Sequence, residues 1–389
     1  MNPDRMYLDT AATTPVRPAV LEAMWPYLAG GETGVFGNPS SHHEVGERAA
    51  AALAEARASI ATALGCRPGE LIITGGGTES DNLAVKGITL ASPRAKHVIT
   101  SPIEHEAVSE SVDYLRRLHG VEVTVLPVDR DGRVDPASLA AAIRPDTALV
   151  SILHASNEIG TVQSIVELAA VARAAGVPFH TDAVQSAGWL PVGLGVLGVD
   201  ALSIAGHKLG APKGVGALVV RGGVPLEPLL HGGGQERGRR SGTENVAGAV
   251  GLAVALELAA DTRAQAGAVS AARDALIDGV LAKVPGSILT GSRTERLPNH
   301  ASFCFPGTSG EAVLLELERR GIVCSSGSAC AAGSDEPSPV LLALGITPEV
   351  AQTAVRFTLP ATVTLADAEL VVERVVEAVA AVGGLRYGG

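Results

Sequence analysis

The 389 residues are 46% hydrophobic, 18% charged and 3% aromatic, too apolar and too lightly charged for a disordered chain. Thirty Lys and Arg against 41 Asp and Glu leave a net charge of −11, which excludes a nucleic-acid binder that works by overall charge; any basic patch must be local. At roughly 150 residues per domain the length suggests two or three units, read here as one large core and one smaller one. The opening MNPDRMYLDT has no basic start followed by an apolar stretch, so no signal peptide is expected. His43 to Leu64 reads as a helix that Gly65 ends, and Leu71 to Thr74 as a strand. Three glycines follow, then a helix start at Thr78-Glu79-Ser80. Strands are expected at His97 to Thr100, Val121 to Leu126, Thr147 to Leu153, Val177 to Thr181, Ala201 to Ala205 and Gly216 to Val220. Helices are expected at Glu104 to Leu118, Pro136 to Ile143 and Ile165 to Ala175. This alternation predicts an α/β fold with a mostly parallel sheet covered on both faces. After Asn245 one long Ala-rich helix is expected to run towards Ala268. His300 to Phe305, Glu311 to Arg320, Ala354 to Leu359 and Leu365 to Val382 then suggest a smaller α+β unit. The longest apolar runs are too short, or too broken by Gln185 and Pro191, to span a membrane, so a soluble cytoplasmic protein is expected.

Four cysteines, at 66, 304, 324 and 330, do not make a disulfide scaffold, and without a Cys-x-x-Cys unit no metal site is expected. Free thiols point to a reducing compartment. Cys304 lies in an apolar strand and reads as core; Cys66 follows a helix end. A Cys324–Cys330 disulfide or ligand pair remains conceivable. Cys330 stands in a small-residue segment, Ser-Ser-Gly-Ser-Ala-Cys-Ala-Ala-Gly-Ser, where a thiol is accessible and its thiolate can act as a nucleophile. His154 and His180 read as satisfied structural histidines, and His119 and His300 as surface or loop residues.

Three ordered features carry chemistry. Thr74-Gly75-Gly76-Gly77-Thr78-Glu79 delivers glycines and a hydroxyl from a strand to a helix N-terminus, which suits a phosphate; it also suits an ordinary turn capped by Thr78. Asp182 ends an apolar strand and Gln185 follows, a carboxylate able to hold a protonated ring nitrogen or simply to cap a helix. His207-Lys208 follows another apolar strand, where a desolvated lysine can form a Schiff base. Arg237, Arg239 and Arg240 form either a solvated loop or a contact with the cofactor or a subunit.

The set resembles the cysteine desulfurases, pyridoxal-phosphate enzymes of the aminotransferase class V fold. The likeness runs from Tyr7-Leu8-Asp9-Thr10-Ala11-Ala12-Thr13-Thr14-Pro15 through Gly37-Asn38-Pro39-Ser40-Ser41, Gly77-Thr78-Glu79-Ser80 and Glu104-His105. It continues through Ser156-Asn157-Glu158-Ile159-Gly160, Asp182-Ala183-Val184-Gln185-Ser186, His207-Lys208 and Arg240-Ser241-Gly242-Thr243-Glu244-Asn245. It ends with Ser325-Ser326-Gly327-Ser328-Ala329-Cys330 and Val355-Arg356-Phe357. The cysteine motif is that of the group with a longer loop rather than of the group with Arg-x-Gly-His-His-Cys.

The resemblance implies fold type I: an arm over residues 1–15 that joins the small domain, a large cofactor-binding domain over 16–255 with a seven-stranded sheet, and a small domain over 256–389 that carries the cysteine loop. It implies pyridoxal 5'-phosphate held covalently by Lys208, with Lys208 then acting as base at the substrate Cα. Asp182 would meet the ring nitrogen, Gln185 the phenolic oxygen and His105 the ring face, while Gly77, Thr78 and His207 would hold the phosphate. Thr243 would reach the phosphate of the other subunit of a homodimer. Asn157 and Arg356 would take the carboxylate of L-cysteine. Cys330 would accept its sulfur as a persulfide, for transfer to an iron–sulfur scaffold or a thiolation enzyme, leaving alanine. No direct nucleic-acid or membrane partner is expected. A selenocysteine lyase or aminotransferase on the same fold, and a non-catalytic sulfur or iron carrier using Cys324 and Cys330, are the alternatives. Thr10 stands where the family usually has Asn. Ala205 stands where it usually has Ser or Thr, so one phosphate hydroxyl is missing.

Overall fold

A computed structural model describes residues 5–29, 34–94, 96–327 and 336–384. Its central sheet has seven strands: β2 (Leu71–Thr74), β3 (His97–Thr100), β4 (Glu122–Val125), β5 (Thr147–Ser151), β6 (Phe179–Asp182), β7 (Ala201–Ala205) and β8 (Gly216–Val220), preceded in the chain by β1 (Met6–Tyr7). The order across the sheet is β2-β8-β7-β6-β5-β3-β4. All neighbouring pairs are parallel except those of β8, which runs antiparallel to both β2 and β7. The reason is the connection: residues 206–215 turn tightly through Gly210 and Gly214, both at positive φ, and a parallel crossover needs a dozen residues or more.

Alternate side chains feed two layers, as the two-residue period of a strand requires. Leu71 and Ile73 of β2, with Ala217 and Val219 of β8, join the layer formed by the helices Glu44–Ala63 and Val246–Ala264. Ile72, Leu218 and Val220 join the opposite layer, with Val108, Val112 and Leu115 of the helix Glu106–His119. The carboxyl ends of β2, β3, β5, β6 and β7 therefore all open at one edge, where loops can collect groups from five strands.

The Ala-rich run after Asn245 is two helices, not one: Val246–Ala264 and Ala266–Lys283, meeting at Gln265. The first buries Leu252 and Leu256 in the large core, and the second buries Leu276 and Ile277 in a second core. That second core also holds the small antiparallel sheet β9 (Ile288–Leu289), β10 (His300–Cys304) and β12 (Ala354–Thr358), covered by helices Gly310–Arg319 and Leu365–Gly384. Leu8 is part of it, and β1 pairs in parallel with β11 (Ile322–Val323). Short elements such as the helix Pro18–Leu28, which tolerates Pro26 near its end, carry no signal strong enough to be read from sequence. None of the described helices is long and apolar enough to cross a membrane.

Candidate active site

Gly77, Thr78, His105, Asn157, Asp182, Gln185, His207, Lys208 and Arg356 line one cavity of about 400 Å³ at the carboxyl edge of the sheet. They come from six segments that only the tertiary fold brings together.

The glycine loop shows why this edge can hold a bulky anion. A Cβ on Gly216, where β8 begins, would stand 2.7 Å from Gly76 Cα and 2.6 Å from the Ile204 carbonyl oxygen, so bare backbones meet there. A Cβ on Gly77 would stand 2.9 Å from Val184 Cγ2 and 3.2 Å from Ala205 Cβ. The helix that follows is capped at Gly76 without a side-chain hydrogen bond, and Thr78 lies inside its first turn. Thr78 is therefore not the cap, and its hydroxyl belongs to the cavity wall. Glu79 braces the loop: its carboxylate accepts from Gly75 N at 2.7 Å and from Arg240 Nε at 2.8 Å. Of the basic cluster, Arg240 thus supports the cradle, whereas Arg237 and Arg239 donate to the carbonyls of Pro68 and Gly69.

Asp182 is 8% exposed at the end of β6, with Oδ1 accepting from Val184 N at 2.8 Å. Burial raises its pKa, while the nearby His105 and Lys208 pull it back towards the ionised form. Lys208 Nζ donates to the carbonyls of Ala11 and, at 2.7 Å, Ala12; Gln185 Nε2 donates to Ala11 O at 3.0 Å. The N-terminal arm thus supplies backbone acceptors to the site, a contribution that no side-chain motif could reveal. His207 Nδ1 lies 3.1 Å from Thr13 Oγ1, and burial, with Lys208 and Lys213 nearby, lowers its pKa to about 4, so the ring is neutral. His105 caps the helix Glu106–His119 by accepting from Ala107 N at Nδ1, 3.0 Å away. A neutral His105 therefore carries its proton on Nε2.

Arg356 is 1% exposed. Nη2 pairs with Asp9 Oδ1 at 2.8 Å, and Nη1 donates to the carbonyls of Asn157 at 2.8 Å and Gly327 at 3.2 Å. Its buried Nε has no hydrogen-bond partner among the described residues, and the residue lines the cavity. Thr243 does not line this cavity; it is exposed in the segment between Arg240 and the helix Val246–Ala264. Cys330 lies outside the described residues, and so does the Cys324–Cys330 pairing. The described residues on either side of its segment meet one turn: Gly327 O accepts from Arg356, and Ser338 Oγ donates to Glu158 Oε2 at 2.6 Å.

The remaining thiols are poor nucleophiles. Burial raises Cys66 to about 11 and Cys304 to about 12, and it raises Cys324 as well. Cys304 sits in the interior, as its apolar strand predicts. His300 corrects the surface expectation: it is fully buried in β10, its Nε2 3.1 Å from Asn157 O, because β10 is covered on both faces. His154 is buried too, and burial lowers its pKa to about 4. Thr10 ties the arm to the carbonyl of Thr358 and to Asn299 rather than facing the cavity.

Sequence reasoning assigned no role to two buried acids. Asp81 lines the cavity beside Asp182. Glu104 precedes His105 and accepts from Ser101 Oγ and from Leu153 N at 3.1 Å; burial pushes its pKa up to about 8.

The aminotransferase class-V family model matches residues 6–371. "Cysteine desulfurase IscS" of Dictyoglomus turgidum is 48% identical over 377 residues, covering 96% of this chain and 94% of that protein. Among solved structures, a "NifS-like protein" superposes with a TM-score of 0.88 at 36% identity, covering 97% of this chain and 99% of the other. "SspA in complex with cysteine" superposes with a TM-score of 0.78 at 37% identity, covering 91% and 99%. The chain belongs to the aminotransferase class-V family, among relatives that carry the name cysteine desulfurase.

Proposed function

We propose that the protein binds pyridoxal 5'-phosphate and removes sulfur from L-cysteine, giving alanine and a persulfide on Cys330. The observation that carries the reading is the single cavity in which a buried carboxylate, Asp182, a lysine, Lys208, a glycine cradle and an arginine, Arg356, converge. These residues fit the group: Gly77 and Thr78 leave room and donors for a phosphate, Asp182 suits a ring N–H, and Gln185 suits a phenolic oxygen. Bound there, the group supplies an electron sink for the carbon skeleton of an amino acid.

The chain's own residues do the rest. Lys208, which now donates to the carbonyls of Ala11 and Ala12, would hold the group covalently, and its amine would take the substrate Cα proton. Asp182, ionised, holds the proton on the ring nitrogen. His105 presents an Nε2–H over the ring face. Neutral His207 donates to, or accepts from, the phosphate edge without adding charge. Arg356, through its planar guanidinium, and Asn157 bind the substrate carboxylate. Cys330 thiolate attacks the substrate sulfur: an S–S bond forms, the Cβ–S bond breaks, and its electron pair stays with the carbon fragment, which takes a proton at Cβ, regains the Cα proton from Lys208 and leaves as alanine. Thr243, exposed and outside its own cavity, serves the phosphate of a second subunit in a homodimer. The division into arm (1–15), large domain (16–255) and small domain (256–389) is supported by the presence of two cores and by the arm residue Leu8 in the smaller, although the helix Val246–Ala264 runs past 255 with Leu256 still in the larger. The acceptor of the persulfide is an iron–sulfur scaffold or thiolation protein in a reducing, cytoplasmic compartment.

The test is optical and chemical. Wild-type protein is expected to show a visible absorbance band and to make alanine from cysteine. Lys208→Ala is expected to lose both, and Cys330→Ala to keep the band while losing persulfide. Unchanged sulfur transfer in Cys330→Ala would overturn the assignment. Competition with selenocysteine and with keto acids separates the two enzymes of related chemistry.

A further inference from the structure

We propose that Asp81 is a neutral buried acid beside the ring-nitrogen site: it carries the one proton of the Asp81–Asp182 carboxyl pair and so leaves Asp182 as the partner that ionises. The inference rests on the pyridoxal-phosphate reading above.

Asp81 is 1% exposed and shares the cavity wall with Asp182. Its Oδ1 has no hydrogen-bond partner among the described residues. The nearest base, His180 Nε2, is 3.7 Å away, beyond hydrogen-bond reach. His180 is also already used: Nδ1 lies 2.8 Å from Ser151 Oγ and Nε2 lies 2.9 Å from Ser203 Oγ. Burial lowers its pKa to about 3, so it brings Asp81 no positive charge.

The groups that face the two acids differ in kind. Asp81 faces the hydroxyl of Ser203 and two further carboxyls, Asp182 and Glu104. Asp182 faces His105, Lys208 and the N–H of Val184. Two carboxylates side by side in a dry wall cannot both be charged at modest cost, and the proton stays on the one with fewer partners for a negative oxygen. That one is Asp81. Burial and the neighbouring Asp182 act in the same direction, raising the Asp81 pKa well above the usual carboxylate range. A cationic ring nitrogen against Asp182 deepens the asymmetry and transfers no charge to Asp81.

Asp81→Asn replaces a neutral acid by a neutral amide of the same shape. With pyridoxal phosphate added, the pH midpoint of the visible band is expected not to move, because no charge is removed from the pair. In the apoprotein, the melting temperature of Asp81→Asn minus that of wild type is expected to climb as pH rises above the ordinary aspartate range, about pH 4. The sign follows because an acid whose pKa is raised by folding loses its stabilising contribution as pH rises, and the amide has none to lose. Should the amide not fold, Asp81→Ser, smaller and uncharged, serves in the same comparison. A flat melting difference would overturn the proposal. So would a fall of about one pH unit in the band midpoint, the signature of deleting a negative charge beside the ring. A wild-type protein with no visible band would instead count against the cofactor reading, while the apoprotein comparison would still report where the proton sits.

Discussion

The guanidinium of Arg356 reaches three segments remote in sequence: Asp9 of the arm, the Asn157 turn and Gly327. Asp9 supplies the only carboxylate within ion-pair distance of it among the described residues. Asp9→Ala therefore leaves a buried charge uncompensated, with an expected loss of about 3–5 kcal/mol in stability. It should also raise KM for cysteine more than it lowers kcat, read by steady-state kinetics, because Arg356 loses the anchor that aims it. Glu104 gives a pH prediction at the same scale. Its pKa of about 8 is raised by burial, so its contribution is complete in acid and fades as pH rises through 8. Glu104→Gln is expected to melt progressively higher than wild type towards alkaline pH, and parallel melting curves at all pH values would refute this. Asp182 and Lys208 could be picked out from sequence because each ends or follows an apolar strand, and Arg356 through the resemblance carried by Val355-Arg356-Phe357. Their present partners could not, since Ala11 and Ala12 act through carbonyls and Asp9 through a contact across 347 residues.

At the level of elements, the glycine loop and the start of β8 set the limit on the cradle. Gly216→Ala drives a Cβ into backbone on two sides, at Ile204 O and Gly76 Cα, neither of which can rotate away. Gly77→Ala meets the flexible Val184 side chain and Ala205 Cβ. Gly216→Ala is therefore expected to lose roughly 1–3 kcal/mol, measured by denaturant melting, with Gly77→Ala losing less stability but more phosphate affinity. Strands β2, β3, β7 and β8 could be read from sequence at their observed bounds, because short β-branched runs between glycines and helices carry both period and punctuation. The break at Gln265 could not. Asp261-Thr262-Arg263-Ala264-Gln265 is good helical sequence, and the chain turns there only because the helices on either side belong to different cores.

For the whole molecule, the two cores frame the cavity between them, with β6, β7 and the glycine loop from one and Arg356 from the other. Thr243, on the outside of its own chain, adds a prediction at this scale. Sedimentation is expected to give a dimer, and Thr243→Ala to weaken pyridoxal-phosphate binding several-fold without dissociating it; unchanged binding would remove Thr243 from the partner's site. The sequence by itself determined the alternation of strands and helices, the family and the residue types of the site, because periodicity, glycine punctuation and ordered motifs are local properties of the chain. Only the tertiary structure decided which groups meet: the arm carbonyls on Lys208, Asp9 on Arg356, Asp81 against Asp182, and His300 in the interior. Those pairings depend on strand order and on what burial does to a charge, and neither is a property of any segment alone.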